Sequence, residues 1–241
     1  MHNADLPAMS GLGSSSSTTV GTIHALMTLN NKTVSKKSLA YRAIEIEQNL
    51  LNESVGIQDQ IMAAHGGFRI LELGQDMSWN VTNMLLPKEY LLALESHVLL
   101  GFSGLSRDSE QHAKNKVENI KQGKTNEELK AIASLTLEAF HAFQQQSSFD
   151  EIGKLLDKSW HYKQRLAEGV SAQWMDELYQ KALANGAFGG KLMGAGGGGF
   201  FFFIAPPNKH QQIRDALSQI KVWVPFKIDY SGSQVIFYSG H

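Results

Sequence analysis

Near its start the chain reads Leu6-Pro7-Ala8-Met9-Ser10-Gly11-Leu12-Gly13-Ser14-Ser15-Ser16-Ser17-Thr18-Thr19, then Val20-Gly21-Thr22-Ile23-His24-Ala25-Leu26-Met27 with apolar residues at roughly helical spacing. Two glycines around a leucine allow a tight turn and a close approach of backbone to a ligand. Serine is a favoured helix N-cap, and the first helical turn exposes unpaired N–H groups at the positive end of the helix dipole. A turn of this kind suits a phosphate, and a serine hydroxyl is an oxygen ligand acceptable to a hard cation such as magnesium. The same composition describes a flexible linker or a plain helix cap, and taken alone the stretch divides about evenly between those readings and phosphate binding. It is not a Walker loop, because no Gly-Lys-Ser/Thr follows the glycines. The dinucleotide fingerprint is also absent, since it needs a third glycine at a fixed offset and a preceding strand.

The bulk properties narrow the class. At 241 residues the chain can bury a sizeable core as one large domain or two ordinary ones. Net charge is −1 with acidic and basic residues mixed, which argues against a nucleic-acid partner or a polybasic membrane surface. There is no cysteine, so disulfides, thiolate catalysis and cysteine metal sites are excluded, in keeping with a reducing cytoplasm. No basic-then-apolar leader pattern opens the chain, and its apolar runs are too short to span a bilayer; a soluble globular protein is the expectation.

Taken in order, the first helix is expected to end at Asn30-Asn31 and a second to run from about 36 to 51, capped by Ser35 and carrying Glu45 and Glu47. Without a motif, either glutamate reads as an ordinary solvated position. A short helix through Ile61-Met62-Ala63-Ala64 is broken by Gly66-Gly67, and 68–73 reads as a strand. Residues 75–88 read as irregular or edge structure, with a domain boundary near 88. Residues 90–102 read as a buried strand, followed by a turn and a helix starting near Asp108. From 110 to 184 the pattern is helical, with breaks near 123–125, 147–148 and 169. His112, His141 and His161 lack metal-ligand spacing. A glycine run from Gly189 to Gly199 leads into Phe200-Phe201-Phe202-Phe203-Ile204, and a linker would not pass straight into a core strand. A helix over 208–220 and strands over 222–228 and 234–238 complete an α+β pattern, with helices on one face of an antiparallel sheet.

Three of these stretches together resemble the GHMP kinases, the superfamily of galactokinase, homoserine kinase, mevalonate kinase and phosphomevalonate kinase. Residues 7–16 resemble its second motif, Pro-x-x-x-Gly-Leu-Gly-Ser-Ser, with Met9 bulkier than the usual small residue. That resemblance implies an ATP phosphate-binding loop formed by Ser10, Gly11, Leu12, Gly13, Ser14, Ser15 and Ser16. Gly56-Ile57-Gln58-Asp59-Gln60, with Ala63-Ala64-His65-Gly66-Gly67 after it, is similar to the sugar and heptose kinase subgroup, whose aspartate is the proposed catalytic base. The resemblance implies that role for Asp59. Glu47 falls where the family places a magnesium-binding glutamate, with Glu45 as its competitor and one of Ser14 to Ser16, Ser15 first, as the matching hydroxyl ligand.

The glycine run resembles the third motif, which implies that Gly194, Gly196 and Gly197 help form the substrate cleft beside the phosphates. Arg107, in a Gly-x-Ser-Arg segment like that of the subgroup, is a candidate for an anionic substrate, against the plainer reading of a surface arginine at a helix start. The resemblance implies a two-domain fold: residues 1–88 as the ATP-binding domain and 89–241 as a ferredoxin-like α+β domain. It implies ATP and Mg2+, and phosphorylation of the anomeric hydroxyl of D-glycero-D-manno-heptose 7-phosphate or a related sugar. Two alternatives stand beside this: a non-catalytic nucleotide-binding or assembly module, and a kinase acting on galactose or fucose. The family's first motif is not in this sequence, so the first domain is expected to be truncated, with three explanations open: a shortened gene, a split enzyme completed by a complementary N-terminal polypeptide, or a rearranged homo-oligomer.

Overall fold

The computed structural model describes residues 11–76, 78–104, 117–194 and 196–238. Ser10, Arg107 and the helix start near Asp108 lie outside the described residues. The chain forms two compact units, one of Met1–Met9, Gly13–Met84 and Ile228–His241, the other of Ser10–Leu12 and Leu85–Lys227. The boundary thus falls after Met84 where the sequence pattern suggests residue 88, and the chain end groups with the first unit rather than the second.

The first unit is built on three helices and a hairpin: α1 (Ser14–Leu29), α2 (Lys36–Glu45), α3 (Gln58–His65), β1 (Arg69–Leu73) and β2 (Trp79–Asn83). Val20 and Ile23 of α1, Leu39, Ala40 and Ala43 of α2, Ile61 and Ala64 of α3 and Trp79 of β2 form its core. The alanines matter because small side chains let helices approach closely. Ser35 caps α2 as expected, its side chain accepting from the Ser38 N–H. At α1 the expectation of a serine cap is corrected. The cap position is Gly13, at φ 70°, and the serines occupy the first turn of the helix itself. A left-handed residue at that point disfavours any side chain, which is why glycine stands there.

The segment 75–88, read as irregular or edge structure, contains β2, an edge strand that pairs antiparallel with β1 and sets Leu71 opposite Val81. A further correction follows from pairing. Residues 234–238 form no strand, and Ile236 and Phe237 are 93% and 82% exposed; an apolar run becomes a strand only beside a ladder partner. The segment before it is anchored in this unit through Asp229 O to the Gly67 N–H at 2.6 Å and Ser233 N–H to Ala63 O at 3.0 Å.

The second unit holds α4 (Lys88–His97), β3 (Val98–Phe102), α5 (Asn126–Gln144), α6 (Phe149–Gln164), α7 (Gln173–Ala184), β4 (Gly189–Leu192), β5 (Phe200–Ile204), α8 (His210–Ala216) and β6 (Val222–Val224). Its sheet has the order β4-β5-β3-β6, antiparallel throughout. That is the split β-α-β arrangement of a ferredoxin-like domain, so the expected α+β class holds. The breaks between α5, α6 and α7 fall where the sequence places them. Residues 90–102 do not form one strand: 88–97 are helical, with Leu91, Leu94 and Glu95 buried at helical spacing, and only 98–102 are extended. A continuous apolar run does not distinguish the two states by period. Similarly, the expected helix over 208–220 shortens to α8 after a 3-10 turn, and the strand after it to three residues. Phe200, Phe201, Phe203, Trp160 and Tyr179 centre the core.

Candidate functional site

In the first unit the chemistry gathers where α1 begins. The helix α2 ends in a π-helical turn, Ile46–Leu50, closed by the Leu51 N–H on Ile46 O at 2.9 Å. Such turns re-aim a side chain by widening the helical ladder. Glu47 sits in this turn and is fully buried, whereas Glu45 is exposed, two residues and more than half a turn away. Of the two glutamates, Glu47 is therefore the one turned inward.

One oxygen of Glu47 is held twice. The Ser16 hydroxyl donates to Oε2 at 2.9 Å, and the Gln60 side-chain amide donates to the same atom at 2.5 Å. The other oxygen, Oε1, is buried and has no hydrogen-bond partner among the described residues. A buried, unpaired carboxylate oxygen is costly, so its presence points to a ligand that carries donors or positive charge. Magnesium fits. It is commonly bound through one or two carboxylates with substrate phosphates and waters completing an octahedron, and among the described residues no group of three or more His, Cys, Asp or Glu side chains forms an all-protein cage. Ser15 is exposed in the first turn of α1, and the hydroxyl that meets Glu47 is that of Ser16.

Asp59 lies in the first turn of α3, directly against the α1 start. A Cβ on Gly13 would stand 3.3 Å from Asp59 Cβ and Cγ and 3.5 Å from its Oδ2. Loss of solvent around this carboxyl raises its pKa above the ordinary aspartate value, and the negative charge of Glu47 raises it further. Ser17 closes the first α1 backbone bond on Gly13 O at 2.9 Å, so the N–H groups of Ser14, Ser15 and Ser16 stand at the open end of the helix. Gly13, Ser16, Glu47, Asp59 and Gln60 are thus brought together within one unit.

The other expected residues among those described, Gly11, Leu12, Gly194, Gly196 and Gly197, lie in the second unit. Gly11, at φ 81°, packs so tightly that a Cβ would lie 2.9 Å from Met193 O; one on Gly194, at φ 73°, would lie 2.7 Å from Gly11 Cα. Here glycine is required twice, by backbone angle and by backbone-on-backbone contact. A Cβ on Gly196 would strike the Val170 backbone, and the Gly197 N–H donates to Val170 O at 3.2 Å. Those two glycines therefore have a packing reason independent of any ligand. Leu12 is half-buried in the same short segment.

Two functional neighbours escape sequence reasoning. Gln60 is the second donor to Glu47, and nothing in its position one residue after Asp59 reveals that. Lys163 of α6 donates to Leu192 O and Gly194 O, both at 2.7 Å, and so ties the glycine loop to a helix. No spacing links residues about thirty positions apart in that way.

Comparison with known proteins matches residues 2–67 to the GHMP kinases N terminal domain and residues 136–221 to the GHMP kinases C terminal domain. The chain is 32% identical over 231 residues to a D-glycero-alpha-D-manno-heptose 7-phosphate kinase of Campylobacter jejuni, an alignment covering 92% of this chain and 65% of that protein. A crystal structure of a Campylobacter jejuni protein assigned as a sugar kinase superposes with a TM-score of 0.69 at 29% identity, covering 95% of this chain and 65% of that one. A D-glycero-D-manno-heptose 1-phosphate kinase from Bacteroides thetaiotaomicron gives a TM-score of 0.68 at 25% identity, covering 98% and 66%. The chain thus spans about two thirds of the length of these relatives.

Proposed function

The chain belongs to the GHMP kinases, and on that premise we propose that it transfers the γ-phosphoryl group of ATP to a sugar hydroxyl. The proposed acceptor is D-glycero-D-manno-heptose 7-phosphate at its anomeric hydroxyl, a choice supported by the name of the Campylobacter jejuni relative. The observation that carries the proposal is the pairing of a buried, half-coordinated Glu47 with Asp59 at one helix start.

In this reading the N–H groups at the start of α1 receive phosphate oxygens, with the exposed Ser15 hydroxyl beside them. Glu47 Oε1 and Ser15 would hold Mg2+, which supplies neutralisation of phosphate charge when bound. Asp59 accepts the proton of the attacking hydroxyl as the new O–P bond forms and the bond to ADP breaks. A raised pKa makes its carboxylate a stronger base than that of an ordinary aspartate. Gly194, Gly196 and Gly197 are proposed to line the acceptor side, as is Arg107.

The test is Mg2+-dependent ADP release by the purified chain, with and without D-glycero-D-manno-heptose 7-phosphate, with galactose and fucose as alternative acceptors. Release that depends on the heptose phosphate is the expected result. Release with galactose or fucose alone would reassign the acceptor. Nucleotide binding without release on any sugar would replace the kinase reading with that of a binding module.

A further inference from the structure

Two donors converge on one carboxylate oxygen, and none reaches the other. Ser16 Oγ and Gln60 Nε2 stand 2.9 and 2.5 Å from Glu47 Oε2, while Oε1 is buried without a partner. All three side chains are buried, Gln60 and Glu47 fully, so packing surrounds the arrangement and shields it from solvent. From this we infer that Ser16 and Gln60 are positioning residues that make Glu47 a one-oxygen ligand and thereby set the choice of cation. The inference rests on the magnesium reading of the site given above.

The physical argument concerns coordination number. Magnesium demands a small, near-regular octahedron, in which each carboxylate gives one oxygen; calcium takes six to eight oxygens and readily accepts a carboxylate through both. A Glu47 with Oε2 occupied by two hydrogen bonds offers only Oε1. Release Oε2 and the same carboxylate can rotate to present two oxygens, which suits calcium better than magnesium. The pair acts at second hand: Ser16 and Gln60 need touch neither metal nor nucleotide. Partners of this kind are worth about 10- to 100-fold in metal affinity.

The experiment uses the full chain with a non-hydrolysable ATP analogue and Mn2+ observed by electron paramagnetic resonance, with Mg2+ or Ca2+ added as competitor. The variants are Ser16→Ala and Gln60→Met, each removing one donor at similar volume, with melting curves to establish folding. Each variant is expected to shift the ratio of Ca2+ to Mg2+ competition about tenfold toward Ca2+. A merely structural role would weaken both competitors alike. Wild-type binding with an unchanged ratio in either folded variant overturns the inference and leaves the kinase reading standing. Failure of the unsubstituted chain to bind Mn2+ beyond the nucleotide alone overturns the magnesium reading, and the inference with it. If one variant does not fold, the other decides.

Discussion

Each unit of the molecule holds an acidic side chain in a hydrogen-bonded cluster, fully buried in the first and part-buried in the second, and the two clusters are built to different ends. In the second unit the buried Tyr179 hydroxyl donates to Asp157 Oδ1 at 2.7 Å and accepts from the Gly190 N–H at 3.1 Å. Burial and the neighbouring Asp157 push the Tyr179 phenol far above its ordinary pKa, so it remains a neutral donor at every working pH. That cluster joins α6, α7 and β4, and its central hydroxyl is used as both donor and acceptor. In the first unit the Glu47 cluster is asymmetric: one oxygen is doubly held and the other has no partner. A closed network serves rigidity. An open one carries a desolvation cost, which the metal proposed for this site would relieve.

The comparison can be broken in several ways. Asp59→Asn should lower turnover about 10²- to 10⁴-fold, the usual worth of a positioned general base, in a steady-state assay of ADP release. A loss below about tenfold would remove Asp59 from the chemistry. Glu47→Gln should weaken the apparent affinity for Mg2+ at least about tenfold while leaving the melting temperature unchanged or higher, because a buried carboxylate without full compensation is destabilising. A large drop in melting temperature would make Glu47 a structural residue like Asp157.

Tyr179→Phe should show the opposite signature. Removing its hydroxyl leaves the Gly190 N–H and an Asp157 oxygen without that partner, a cost of about 1–3 kcal/mol in denaturant unfolding, with the Mg2+ dependence of turnover unchanged. The smallest effect is one of pH. Because the folded pKa of Asp59 is raised, its ionisation opposes folding: the stability associated with its neutral form is full below the unfolded value near 3.8 and is lost as pH rises through the folded value. Asp59→Asn should therefore melt slightly higher than the parent at neutral pH, and the gap should close below about pH 3.8. A gap that stays constant with pH would assign it to something other than ionisation.

Much of this was legible in the chain. Asp59 and the Gly11-Leu12-Gly13 turn lie in local motifs, Glu47 is set apart from Glu45 only by the family resemblance, and the glycine run before Phe200 announces a strand entering a core. What was not legible is relational. Whether Ser15 or Ser16 faces Glu47 depends on where the helix begins, and it begins at a left-handed Gly13 that four consecutive serines conceal. Gln60 and Lys163 acquire their roles from partners 13 and about 30 positions away, fixed only by the packing of helices and loops. The run over 90–102 is apolar throughout, so its change from α4 to β3 leaves no periodic trace. The exposed residues 235–238 look like a strand because their composition says so, while their pairing decides otherwise.

The most direct test of the open-cluster account is a crystal structure of the full chain with Mn2+ and a non-hydrolysable ATP analogue, the metal located by its anomalous signal. The account predicts an ion about 2.0–2.2 Å from Glu47 Oε1, with Oε2 still held by Ser16 and Gln60. An ion bound elsewhere, with Oε1 satisfied by a protein donor or a lone water, would contradict it.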